Sequence, residues 1–326
     1  MSEQTVVAVV GATGQQGGGL ARAILDDPAG RYTCRALTRN PASQAARALA
    51  DRGAEVVAAD LDDEDSLVRG FEGAYGAYCM TNFFEHFSPQ REQQQAANLA
   101  RAAKAAGIRH AIWSTNEDSR EWLELHDRLP VLEGGYRVPH WDAKAEANRF
   151  FTDNGVPTTF LRLPMFWENF GTPGTPQYPQ RDHDGVLAIT LPAGDAKLPG
   201  LAAADIGGCA RSVFRAGHEF VGKTVGLAAQ HLTGQELAEG LSELQGETVR
   251  YNSIPLGALR SAPMPGADAV ANMFQIITEG NDKYCAHYDP GVTRSLNPQL
   301  QTFAAWITAA KDQKSVPAGT RGDVAR

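Results

Sequence analysis

The sequence predicts an α/β protein, with a doubly wound parallel sheet in its first half and a smaller mixed α/β C-terminal lobe. Three observations carry that expectation. Short β-branched runs alternate with longer helical patterns as far as Pro164, the rhythm of βαβ units joined by right-handed crossovers. A glycine-rich turn separates the first strand from the first helix, where such folds hold phosphates. Beyond Pro164 the rhythm gives way to Pro- and Gly-rich loop, scattered strands and amphipathic helices.

Taken in order, TVVAVVG is a β-branched run and the first strand, and Gln16–Asp26 is the helix that follows. YTCRALTR is the second strand and Ser43–Arg52 the second helix. AEVVAAD is the third strand, followed by a helix from Glu64 that ends near Gly73. YGAYCMTN is the fourth strand. The long helix PQREQQQAANLARAAKAAG stops at Gly107, a residue suited to a left-handed cap. RHAIWST is the fifth strand, HWDAKAEANRFFTDNG a helix and TTFLRLP the sixth strand. These elements fill residues 1–163, the dinucleotide-type domain. In residues 164–310, GTPGTPQYPQRDHDG reads as loop, and GVLAITLPAGDAKLPGLAAADIGGCARSVF suggests a hairpin and then a helix. GKTVGLAA is a further strand. Thr233 stands three residues before Glu236, a capping-box signature for the next helix. ETVRYNSI is another strand; PGADAVANMFQIITEG and PQLQTFAAWITAAK are amphipathic helices. The lobe is expected to pack beside the first half, with a strand available to its sheet. Residues 311–326 lack apolar content and are expected to form a disordered tail.

With 326 residues, 43% hydrophobic and 21% charged, the chain has the balance and length for a large soluble core. A net charge of −8 and no basic run argue against direct binding to nucleic acid or to an anionic membrane. No apolar run approaches a membrane span. The sequence enters a strand at once, so no signal peptide is expected. Cys34, Cys79, Cys209 and Cys285 are scattered with no C-x-x-C pair, which suits reduced thiols and a cytoplasmic location. Cys34 and Cys79 fall within strands, where a buried, inert thiol is expected.

Gly11, Gly14 and Gly17 form G-x-x-G-x-x-G between strand and helix. Gly11 permits the tight turn, Gly14 lets backbone approach a pyrophosphate, and Gly17 lets the helix pack against the strand. The helix amides then face the phosphates, and Thr13, Gln15 and Gln16 complete the cofactor-binding turn. In this strand–turn–helix setting a dinucleotide-type Rossmann domain follows. The second strand ends in Thr38, Arg39 and Asn40, with no carboxylate to meet a ribose 2′-hydroxyl. Arg39 suits a 2′-phosphate, so NADP(H) is the expected cofactor; the competing possibility is a solvated surface arginine. Asp60 and Leu61 are placed to flank the adenine, although Asp60 would serve equally as a helix N-cap.

In such a sheet the ligand lies across the carboxyl ends of the strands. That gathers Thr81 and Asn82, Ser114 to Asn116, His140, Lys144 and LPMFWENF. Lys144 is expected to reach the nicotinamide ribose, its alternative being an exposed helix lysine. His140 stands four residues before Lys144, where many nicotinamide-dependent reductases carry a tyrosine. An imidazole can donate a proton near neutral pH; a capping or packing histidine is the alternative. Ser114 either orients a carbonyl or is structural. Phe166, Trp167 and Phe170 either wall a pocket or belong to the core. The eight histidines do not pair at metal-ligand spacing, and no G-x-S-x-G or H-E-x-x-H motif occurs, so no metal is expected.

GATGQQGGG, LTRNP, AADLDD, TNFFE, VPHWDAKAEANRFF, GVPTTFLRLPMFWENF and LPAGDAKLPGLAAADIG together resemble the NmrA-like family, an atypical branch of the short-chain dehydrogenase/reductase superfamily. The resemblance runs from residue 5 to about 310 and is closest to the branch of the human NmrA-like NADPH-sensor protein. It implies NADP(H) in the cleft, with Gly11 to Gly17 at the pyrophosphate and Arg39 at the 2′-phosphate. Thr81 and Asn82 would lie along the cofactor, and Lys144 would reach the nicotinamide ribose. Family members include cofactor binders without known turnover that act through partner proteins. Neighbouring isoflavone-reductase-like proteins are NADPH reductases that use the lysine without the tyrosine. The leading expectation is therefore a redox sensor with a regulatory protein partner, homodimeric by family analogy. The alternative is an NADPH-dependent reductase of a small carbonyl, enone or quinone. The segment Glu117–Pro139 is longer than a simple connection and is expected to be a lid or substrate loop.

Overall fold

The computed structural model describes residues 5–315. The first half runs β1 (Thr5–Val10), α1 (Gln15–Leu25), β2 (Tyr32–Thr38), α2 (Gln44–Asp51), β3 (Glu55–Ala58), α3 (Glu64–Phe71), β4 (Gly76–Cys79), α4 (Pro89–Ala105), β5 (His110–Thr115), α5 (Leu123–His126), α6 (Pro139–Glu146), α7 (Asn148–Asp153) and β6 (Thr158–Arg162). The six strands pair in parallel in the order β6-β5-β4-β1-β2-β3. The chain reverses direction of winding between β1 and β4, so the ligand crevice opens there. Every residue of β4 and β5 is buried, because helices cover both faces of a parallel sheet. Leu67, Phe71, Leu99 and Trp113 pack in one layer, and Leu20, Ile24, Ile112 and Phe214 in the other. Ser88 caps α4 by accepting from the Arg91 amide, with Pro89 in its first turn.

The second half adds β7 (Met165–Phe166), α8 (Glu168–Gly171), β8 (Gln180–Arg181), β9 (Leu187–Leu191), β10 (Leu198–Leu201), α9 (Ala203–Ala216), β11 (Thr224–Gly226), β12 (Gln230–Leu232), α10 (Gly234–Gln245), β13 (Val249–Ser253), α11 (Leu256–Arg260), α12 (Ala267–Glu279), α13 (Asn281–Ala286), α14 (Pro290–Leu296) and α15 (Phe303–Ser315). β11 extends the main sheet beside β6 as its seventh parallel strand. The capping box at Thr233 and Glu236 is formed in both directions.

Three expectations need correction. β9 and β10 do not form a hairpin: β9 pairs with β8 and β13, and β10 with β7 and β12, in separate three-stranded sheets. Alternation marks a strand but does not choose its partner. The helix expected across 140–155 is two helices meeting at Ala147, where the Phe150 amide donates to the Ala147 carbonyl and Thr115 Oγ1 holds the Asn148 side chain at 2.7 Å. α15 continues to Ser315, inside the segment expected to be tail; residues 316–326 lie outside the described residues. Cys34, Cys79 and Cys209 are buried and all four thiols are unpaired; burial pushes Cys34 up to about 12.

Candidate functional site

Gly11 adopts φ +66°, a left-handed conformation that L side chains resist. A Cβ at Gly17 would lie 2.5 Å from the carbonyl oxygens of both Val10 and Gly11, so only glycine lets α1 start this close to β1. Thr13, Gly14 and Gln15 are exposed at the rim of the turn. No side chain caps α1, which leaves its first amides available to an anion. The turn therefore fits a pyrophosphate. Gln16 lies deeper: its Oε1 accepts from Ser114 Oγ at 3.0 Å and from the Tyr78 hydroxyl at 3.3 Å. Ser114 thus ties the end of β5 to the start of α1.

Arg39 reaches the rim just past β2 and is not a solitary surface arginine. Its Nη1 and Nη2 donate to the two carboxylate oxygens of Glu85 at 3.0 and 3.1 Å. Asn82 is exposed and its Nδ2 donates to Glu85 at 3.4 Å. Asp60 does not cap α3; Asp63 does, accepting from the Ser66 amide. The Asp60 carboxylate instead accepts from the Asp62 amide at 3.0 Å. The Leu61 carbonyl accepts from Asn98 Nδ2 at 2.8 Å, which fixes this rim segment to α4.

Lys144 is buried rather than exposed on its helix. Its Nζ donates to the Thr81 carbonyl at 2.9 Å, to Thr81 Oγ1 at 2.7 Å and to Glu92 Oε1 at 3.0 Å. It also lies 5.1 Å from the Trp113 ring centre. Glu92 is wholly buried, and His86 Nε2 stands 3.6 Å from its second oxygen. Neither Glu92 nor His86 belongs to a motif that marks it in the sequence. A signal existed for Glu92: it shares the buried stripe of α4 with Gln95, Ala96 and Leu99, where a carboxylate requires a partner.

Between the halves lies a cavity of about 710 Å³. Phe83, Phe84, Asn116 and His140 line it on the sheet side; Met165, Leu198, Met273 and Tyr284 line it on the lobe side. His140 is buried, with Nε2 3.4 Å from Met273 Sδ and ring centres of Phe83 and Phe84 at 6.0 and 5.5 Å. Burial lowers its pKa to about 4, so the imidazole is neutral at physiological pH. Burial pushes the Tyr284 phenol well above its ordinary range. Trp167 and Phe170 belong to the core, with Phe166 packed against it; their neighbours Leu163, Pro164, Met165 and Asn169 meet the cavity instead.

The long segment before α6 forms part of the cavity wall through Leu132 and Glu133. The buried Asp142 carboxylate anchors it, accepting from the amides of Ser119 (2.8 Å), Arg137 (3.1 Å) and Val138 (2.9 Å). Asn272 Nδ2 donates to the carbonyls of Pro130 and Arg137 at 3.0 and 2.6 Å, joining it to α12. Glu117, Glu121 and His287 converge nearby, where Arg162 bridges the two carboxylates at 3.1 and 2.6 Å. No helix among the described residues is long and apolar enough to cross a membrane.

A model of the NmrA-like family matches residues 3–307. The NmrA-like family domain-containing oxidoreductase FrzB of Cladobotryum sp is 29% identical over 262 residues, 76% of each chain. The similarly described oxidoreductase hkm9 of Aspergillus hancockii is 29% identical over 262 residues, 76% of this chain and 75% of its own. Among solved structures, the negative transcriptional regulator NmrA is similar with a TM-score of 0.75 at 20% identity, covering 97% of this chain and 99% of that one. The NADPH-dependent quinone oxidoreductase QOR2 from Escherichia coli gives 0.68 at 25% identity, covering 93% and 99%. The NmrA likeness is one of fold.

Proposed function

The chain belongs to the NmrA-like family, and on that premise we propose that it is an NADPH-dependent reductase of an apolar, ring-bearing acceptor of the quinone or enone type. The observation that carries this reading is the cavity of about 710 Å³ beside the carboxyl ends of the strands, of the size and apolar character of a small-molecule site. Solved relatives of the same fold include NmrA with NADP and QOR2 with NADPH. NADPH, when bound, supplies a hydride from its nicotinamide. The glycine turn would hold the pyrophosphate and Arg39 the 2′-phosphate. Lys144, fixed by Thr81 and Glu92, would stand on the nicotinamide-ribose side. The aromatic walls would exclude water and orient a flat acceptor.

The proton economy narrows the acceptor. His140 is uncharged at neutral pH, with its pKa lowered to about 4 by burial, and Tyr284 holds its proton too tightly. Neither is a poised acid. A quinone needs none, since hydride addition leaves a stabilised hydroquinone anion that water protonates; a simple aldehyde does need one. NADPH oxidation followed by absorbance should therefore be fast with quinones and near background with simple aldehydes, and Lys144→Ala should lower it. A flat trace with every quinone and enone refutes the reading.

A second reading, an NADP(H)-responsive regulator with a protein partner, is favoured by one observation. All three donors of Lys144 are already engaged, so ribose contact requires the cluster to rearrange. Such a rearrangement could distinguish two conformations with different affinities for NADPH and NADP⁺. Association state, monomer against homodimer, followed during titration with each cofactor form tests it; identical responses exclude it.

A further inference from the structure

The two-pronged pair between Arg39 and Glu85 joins segments that the cofactor would separate. Arg39 follows β2 and Glu85 lies in a short helical turn after β4, while β1 runs between those two strands. The pair thus strides over the carboxyl end of β1, where the glycine turn begins. Both partners are solvent-exposed, at 65% and 48% for the side chains, so the contact is weak and exchangeable. A dianionic 2′-phosphate offers the same guanidinium a stronger partner. Glu85 left in place would repel that phosphate.

The turn that carries Glu85 also carries Phe83 and Phe84, which wall the cavity and touch the His140 ring. The turn closes at Phe87 with φ +53°, a left-handed backbone at a bulky residue. Within this turn the Glu85 side chain bonds to Arg39 and Asn82, while Phe83 is buried and the adjoining His86 stands 3.6 Å from Glu92.

We infer that Glu85 is a cofactor-specificity residue: it competes with the 2′-phosphate for Arg39, and its displacement loosens the exposed Phe84–Glu85 end of the turn, which borders the cavity. This rests on the NADP(H) reading above. A cofactor carrying the 2′-phosphate breaks the pair and loosens the wall; NADH leaves the pair intact. Affinity for NADPH is set below what Arg39 alone would give, and occupancy by the phosphorylated cofactor is transmitted to the acceptor site.

The test uses the full chain, with NADPH and NADH as probes in fluorescence titrations. Glu85→Gln removes the competing charge and should tighten NADPH roughly fivefold, the scale of an exposed ion pair, while leaving NADH unchanged. In the parent protein NADPH should speed amide hydrogen exchange across residues 82–88, and NADH should not. Glu85→Gln should show the fast exchange without cofactor. Weaker NADPH binding in Glu85→Gln would mean that Glu85 orients Arg39, and would overturn the inference; so would an equal change for both cofactors, or no change in exchange. Arg39→Ala is the control for the premise. If it weakens NADH as much as NADPH, the cofactor assignment fails and the inference falls with it. If it weakens NADPH alone while Glu85→Gln is silent, only the inference fails.

Discussion

Gly14→Ala and Gly17→Ala lie three residues apart and should fail differently. A Cβ on Gly14 would stand 3.4 Å from the Gly11 carbonyl oxygen, its one near neighbour, at an ordinary φ of −94°. The fold should accept it, with a change within about 1 kcal/mol, since alanine costs the unfolded chain some freedom. The methyl would nevertheless stand where a pyrophosphate must approach. Losing one charge-assisted hydrogen bond costs about 1.5–3 kcal/mol, roughly ten- to a hundredfold in NADPH affinity. At Gly17 the new Cβ would lie 2.5 Å from two carbonyl oxygens and 2.7 Å from the Gly11 carbonyl carbon. All three are backbone atoms, so α1 must slide by about an ångström, an overpacking cost of about 1–3 kcal/mol. The slide would also disturb the contact of Gln16 with Ser114. Thermal unfolding with and without excess NADPH, beside a fluorescence titration, reads both quantities. Gly14→Ala should melt like the parent and lose the cofactor-induced rise; Gly17→Ala should melt lower from the outset. Parent-like NADPH binding in Gly14→Ala, or a parent-like melting temperature in Gly17→Ala, refutes the placement of the pyrophosphate and the packing claim respectively.

Lys144→Ala strands the buried Glu92 carboxylate and should cost about 3–5 kcal/mol in denaturant unfolding; Lys144→Met with Glu92→Gln should recover much of it, and additive losses would mean the two groups are uncoupled. His140 and His110 both have folded pKa values near 4 against an ordinary 6.5. Between those values the unfolded chain binds more protons, so stability is complete above pH 6.5 and falls as pH drops towards 4, by at most about 3 kcal/mol per histidine. His140→Leu should flatten that slope in urea titrations at graded pH; an unchanged slope would show that His140 charges freely in the fold. Asn272→Ala removes the donor to the Pro130 and Arg137 carbonyls and the acceptor for Arg260. Limited proteolysis should then cut within 117–138 several-fold faster, and an unchanged rate would mean the segment is held elsewhere.

What the sequence disclosed was local, and what it hid was long-range. β4 reads as a strand because a parallel strand covered on both faces is almost continuously apolar. The glycine turn was legible because a strand, a turn and a helix adjacent in sequence suffice to define it. Lys144 was assigned to the strand ends, yet its carboxylate partner lies 52 residues away, and no periodicity in α6 points to α4. Met273, which meets His140, is 133 residues distant. Glu85, 46 residues from Arg39, belongs to a three-residue turn too short to show a pattern. The false hairpin has the same origin: strand pairing is decided by tertiary packing, and the residues between β9 and β10 leave both partners open.

The histidine at the usual tyrosine position gains a physical meaning from these distances. Phe83, Phe84, Trp141 and Met273 surround the ring, and placing a charge among them is costly. That cost lowers the His140 pKa and withholds its proton. The same side chains supply the flat, apolar walls of the cavity. On the proposed reductase reading, one set of contacts therefore removes the protein acid and favours the kind of acceptor that does without it. Replacing Met273 by glutamate, which would set a carboxylate against His140 Nε2, should raise the imidazole pKa and extend turnover towards aldehydes while weakening the binding of apolar quinones. Aldehyde reduction that stays at background, with a histidine shown by NMR titration to have regained a near-neutral pKa, would break the link between the missing acid and the choice of acceptor.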